Sequence, residues 1–142
     1  MTNREIKKHK DELVTITRQL NITEDESLEQ RLKKLFGAVR KLENLANVVG
    51  ASKYYGTTLR DIGQILAAVQ GWNKPGVDAI DILMKKFAAC EDVYKEVYHN
   101  VHCTLQTEEM FNACVFAKWS CFLAAVAATV ACISVALTTW LN

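Results

Sequence analysis

The sequence predicts an all-α protein: a small helical bundle or a set of antiparallel helical hairpins over residues 1–109, a juxtamembrane segment at 110–118, and one transmembrane helix at 119–141. Three observations predict it. The 142 residues include one proline and six glycines, and no long stretch alternates polar with apolar residues as a strand would. Apolar residues recur instead at spacings of three and four. Charge is also confined to one side: all 16 acidic residues, and all but Lys118 of the 17 basic ones, lie at or before Glu109. The mean hydropathy of +0.01 therefore averages two unlike halves.

The element most sharply defined is the last. Trp119 to Leu141 is a run of 23 residues without a charge. As a helix it reaches roughly 35 Å, a little more than the hydrocarbon thickness of a bilayer. Lys118 and Trp119 at one end and Trp140 at the other are residue types that prefer the membrane–water interface. A buried helix of a soluble protein is usually shorter than about 15 residues and is not apolar all round. Because the sequence stops at Asn142, the span is expected to be a tail anchor inserted after translation.

The other helices follow in chain order. Thr2 and Glu5 make a capping box for a first helix over residues 3–21, with Ile6, Leu13, Ile16 and Leu20 as a sparse apolar stripe. This helix is expected to pack weakly or to fray. Ser27 and Gln30 cap a second helix, in which Leu28, Leu32, Leu35, Val39, Leu42, Ala46 and Val49 recur at alternating spacings of four and three. That is a heptad seam in need of a partner, inside the chain or in another chain, and Gly50 stands where a helix-terminating glycine belongs. Thr57 or Thr58 can cap a short third helix carrying Leu59, Ile62, Leu66 and Val69, which GWNKPG (residues 71–76) ends. A long helix follows with Val77, Ile80, Leu83, Phe87, Cys90, Tyr94, Val97 and Val101 on one face, expected to lie antiparallel to the second. Thr107, with Glu108 and Glu109, is expected to cap the final helix separately.

Charge and cysteine usage narrow the function. Residues 1–109 hold 16 acidic and 16 basic side chains, so they lack the basic excess that nucleic acid requires. MTNREIKKHKDE has no apolar stretch behind it, so no secretory signal is read and the charged part is expected in the cytosol with the N-terminus. The membrane is expected to be the endoplasmic reticulum or the mitochondrial outer membrane. Five cysteines in no metal-ligand spacing do not form a disulfide framework and are expected to be reduced.

Candidate chemistry is sparse. His99, His102 and Cys103 form HNVHC, but a tetrahedral metal site needs a fourth ligand, and Cys90 is nearly three turns away. No phosphate-binding glycine loop and no nucleophile elbow occurs. The chain is therefore expected to be non-enzymatic and to need no cofactor. Cys114 and Cys121 flank the cytosolic edge of the span, where S-palmitoylation takes place. Ser120, Ala124, Ala128, Cys132 and Ala136 form a ridge of small residues, the arrangement that favours pairing of transmembrane helices and hence a homo-oligomer.

Two segments resemble known families. YGTTLRDIGQILAA is similar to the BH-three helix of the Bcl family of apoptosis regulators: Tyr55, Leu59, Ile62 and Leu66 fall at its four groove-filling positions, and Gly63 at its small residue, with Gln64 where the family has an acid. The resemblance implies docking of residues 55–69 into a partner's groove and a role in apoptosis or membrane permeability. RLKKLFGAVRKLENLA followed by GTT (Gly56, Thr57, Thr58) resembles the apolipoprotein L family, which places a basic amphipathic helix before a GTT turn. The leading expectation remains a tail-anchored protein whose partners are the lipid bilayer and a cytosolic protein bound through its helices.

Overall fold

The computed structural model describes residues 1–53, 55–69 and 76–141, with the backbone alone for residues 77 and 135–141. Of the turn predicted at residues 71–76, residues 71–75 lie outside the described residues. Those described form helices α1 (Asn3–Gln19), α2 (Leu28–Val49), α3 (Gly56–Val69) and α4 (Val77–Leu141), without a strand. The class is all-α.

Local chemistry explains the boundaries. At α1 the Thr2 hydroxyl accepts the Glu5 N–H at 3.3 Å, while the Glu5 carboxylate accepts the Thr2 N–H at 2.8 Å. Ser27 and Gln30 repeat this reciprocal pairing at α2, both bonds being 3.3 Å. Gly50 ends α2 at φ 75°, a left-handed conformation that a side chain would strain. There the Ala51 N–H reaches the Ala46 carbonyl at 2.8 Å and the Gly50 N–H that of Asn47 at 3.4 Å, closing a Schellman motif. At α3 the Leu59 N–H bonds the Tyr55 carbonyl at 3.0 Å. Tyr55 thus stands at the cap, and Thr57 and Thr58 belong to the first turn rather than capping it.

The path of the chain follows from which side chains meet. Arg31, early in α2, lies over the Phe87 ring of α4, and Lys53, just past the end of α2, pairs with Glu96. So α2 and α4 run in the same direction, not antiparallel as the lengths suggested. The reason is α3: about 21 Å long, it carries the chain back to the end from which α2 started. Among the described residues α1 packs on α2 and α4, α3 packs on the same two, and α1 and α3 do not meet. The pair α2·α4 is the centre of the bundle.

Burial matches this arrangement. Leu32, Leu35, Val39, Leu42, Ala46 and Val49 are buried and Leu28 half-buried, and Ala38 and Leu45 join them. The buried face of α2 is thus broader than a two-position seam, as expected for a helix with neighbours on several sides of its own chain. On α4, Leu83, Cys90, Val93, Val97, Val101 and Leu105 are buried and Phe87 and Tyr94 half-buried, but Ile80 is 42% exposed, beyond the edge of the core. Helix α1 does not fray: Ile6, Leu13 and Ile16 are buried, and it ends at Gln19 because Leu20 leaves helical geometry at ψ 69°.

Helix α4 has 65 residues and no break at Thr107. Its sequence holds neither glycine nor proline, so nothing interrupts the backbone ladder. The Thr107 hydroxyl instead donates to the Cys103 carbonyl at 2.9 Å, one turn back within the same helix.

Candidate functional site

From Met110 onward α4 projects beyond the bundle core. Met110 is 69% exposed, Phe116 75% and Phe122 59%, and Phe111, Val115, Trp119, Leu123, Val126, Val130 and Ile133 are exposed with them. This part of the helix is long and apolar enough to cross a membrane, and none of its most hydropathic stretch is buried against the protein. Its polar side chains are turned inward: the Thr129 hydroxyl donates to the Ala125 carbonyl at 2.7 Å and that of Ser134 to the Val130 carbonyl at 2.9 Å. Bonded in this way, they add little cost to a lipid setting. Trp119 and Phe122 meet edge to face at 6.1 Å, an aromatic step where the apolar run begins.

Ser120, Ala124, Ala128 and Cys132 are exposed along this helix at every fourth position, and Ala136 continues the row in the part described by backbone alone. Such a row winds around the helix, so a second helix following it would cross obliquely, as small-residue transmembrane pairs do. Cys114 and Cys121 are both exposed.

No local sequence signal marks what lies beside the start of this segment. The N-terminus of α1 packs there, held by the Met1 ammonium on Glu108 at 3.2 Å and by Lys10 on Glu109 at 2.5 Å. Asn112 donates to the Met1 carbonyl and to the Asn3 side chain, both at 2.9 Å. Between the two helices is a groove of about 460 Å³ lined by Ile6, Lys7, Ala113 and Phe116 among others. Contacts between residues about 100 apart leave no local pattern, and the boundary expected at residue 109 falls inside this α1·α4 contact.

The helix resembling a BH-three segment faces inward. Leu59 and Ile62 are each 1% exposed and Tyr55 is buried with them, while Leu66 is half-buried. A side chain at Gly63 would touch the Phe36 ring at ordinary van der Waals distance. Docking of this face into a partner's groove therefore requires α3 to leave the bundle. Burial, reinforced by the neighbouring Glu96 carboxylate, pushes the Tyr55 phenol up to about 12. The bond from Lys53 holds Glu96 below the usual carboxylate range. The GTT triplet forms the first turn of α3, and RLKKLFGAVRKLENLA is the middle of α2.

The HNVHC residues do not converge. Cys103 Sγ lies 3.5 Å from His99 Nε2, while His102 stacks on Tyr98 with ring centres 6.0 Å apart. Among the described residues no three His, Cys, Asp or Glu side chains gather as metal ligands. Cys90 is fully buried, and burial pushes its thiol up to about 12. No protein-family model, curated protein or solved structure matches the chain.

Proposed function

We propose that the protein is a non-enzymatic, single-span membrane protein that presents its helical bundle to the cytosol as a platform for a protein partner. One observation carries this reading. A single unbroken helix supplies bundle core over Leu83–Leu105 and then, beyond Phe116, exposes predominantly apolar side chains on all sides. Water would penalise such a surface, at about 25 cal/mol per Å², and a bilayer removes the penalty. Lys118 and Trp119 mark the cytosolic edge, and the bundle stays outside because its many charges make translocation costly. At the end of the bundle far from the span, Ile80, Ile82 and Met84 are exposed, and they are the first side chains to change when partner capture is measured.

The test compares fluorescent fusions of the full chain and of a chain lacking residues 113–142. The full chain is expected on an organelle membrane and to resist alkaline extraction, and the shortened chain in the soluble fraction. A shortened chain still on the membrane, or a full chain released by alkali, would overturn the reading.

A further inference from the structure

We infer that the N-terminal turns of α1 form a second membrane contact, in which Arg4, Lys7 and Lys8 bind anionic lipid headgroups beside the point where α4 enters the bilayer. The inference rests on the proposed span. Its first basis is position. Lys7 shares a groove with Phe116, and Phe116 is two residues, or about 3 Å of helix rise, from Lys118. The hydrogen bonds of Asn112 to Met1 and Asn3 fix α1 at that height.

The second basis is depth. Only Lys118 carries a charge between Met110 and Leu141. From Trp119 to Trp140 the helix rises about 32 Å, which matches the hydrocarbon core, with a headgroup layer of roughly 5 to 8 Å outside it on the bundle side. With the span starting at Trp119, the exposed Phe116, three residues or about 4.5 Å further out, lies in the headgroup layer. The turn of α1 that carries Lys7, packed beside Phe116, lies in or on that layer too.

The third basis is charge. Arg4, Lys7 and Lys8 are exposed and make no ion pair among the described residues. Most acids near them are already engaged: Glu5 caps its own helix, Glu12 faces His9, Glu108 holds the Met1 ammonium and Glu109 holds Lys10, which leaves the exposed Asp11 as the one nearby acid without an ion pair among the described residues, against three cations. Bonding to the Thr2 backbone and hydroxyl keeps Glu5 below the ordinary carboxylate range, so it stays a bound acceptor. The surface left facing the lipid is basic, although residues 1–109 as a whole are neutral. Basic side chains held at a membrane surface each gain from anionic lipid and lose that gain in salt.

Amine labelling of the full chain tests this in nanodiscs of phosphatidylcholine alone and with phosphatidylserine added. Acetylation of Lys7 and Lys8 is expected to slow about threefold with phosphatidylserine and to recover in high salt, where screening shortens to a few Å. Lys85, toward the far end of the bundle and 74% exposed, is expected to react equally in both discs. Equal labelling of Lys7 and Lys8 in the two discs, in a chain that stays with the disc at alkaline pH, would overturn the headgroup contact and leave the span intact. A chain that alkali strips from the disc would overturn both.

Discussion

The two halves of α4 share one backbone geometry and differ in what surrounds it. Over residues 83–105 Leu83, Cys90, Val93, Val97, Val101 and Leu105 are buried in the bundle, and most of the intervening positions are charged or polar. Over residues 110–134 the side chains are mostly apolar and all but Asn112 are exposed. The first half is helical because packing rewards an amphipathic stripe. The second half is long and apolar enough to cross a bilayer, where every backbone group must be bonded within its own segment, as a helix provides. The difference teaches that helix continuity says nothing about environment, and that the distribution of charge around the helix does.

A charge introduced into each half should break that half alone. Leu35→Asp puts an unpaired carboxylate into the α2·α4 core and should cost about 4 kcal/mol or more, lowering the thermal midpoint of the bundle by circular dichroism while membrane association persists. Val130→Arg should do the reverse. An arginine near the centre of a span costs about 3 kcal/mol, so alkali-resistant membrane association should fall while the bundle melts as before. Loss of both properties in either variant would mean that the two halves are not independent.

Raising the pH sharpens the same contrast, since the buried titrating groups lie in the bundle. Tyr55 and Cys90 are each held up to about 12 in the folded state, above their ordinary values of 10.0 and 9.0. Their contribution to stability is therefore complete below pH 9, and it is lost as the pH rises from 9 through 12, where the unfolded chain ionises and the folded one does not. Urea midpoints should fall across that window, and less steeply in Tyr55→Phe. A slope unchanged by that substitution would remove Tyr55 from the account.

Smaller effects test the ends of the elements. Gly50→Ala should cost about 1 to 2 kcal/mol because of its left-handed backbone, and Ser27→Ala about 1 kcal/mol by leaving the α2 cap unbonded. Smallest is the ridge. Ala128→Ile should weaken pairing of the spans in a crosslinking assay, and Val126→Ile, off the ridge, should not. Equal pairing by the two variants would make the ridge alanine-rich filling.

What was legible in the sequence was local. The capping boxes at Thr2 and Ser27, the Gly50 terminator and the buried face from Leu32 to Val49 all depend on residues within a few positions of one another. The direction of α2 against α4 was not legible, because it depends on α3 running the chain back. The continuity of α4 through Thr107 was misread because a Thr-Glu-Glu start signal has no force where the preceding residues are already helical. Of the candidate site, a helix long and apolar enough to span was legible from composition alone, whereas the seating of α1 beside Glu108, Glu109 and Asn112 required the fold.

The five cysteines all lie on α4 and mark its length, so their reactivity toward a water-soluble maleimide tests the two-environment account most directly. In intact nanodiscs Cys103, on the bundle surface, should react, while Cys90 in the core and Cys121 and Cys132 in the lipid should not. Urea, which unfolds the bundle and leaves the bilayer in place, should add Cys90 alone. Labelling of Cys121 and Cys132 as fast as Cys103 in the intact disc would contradict the account.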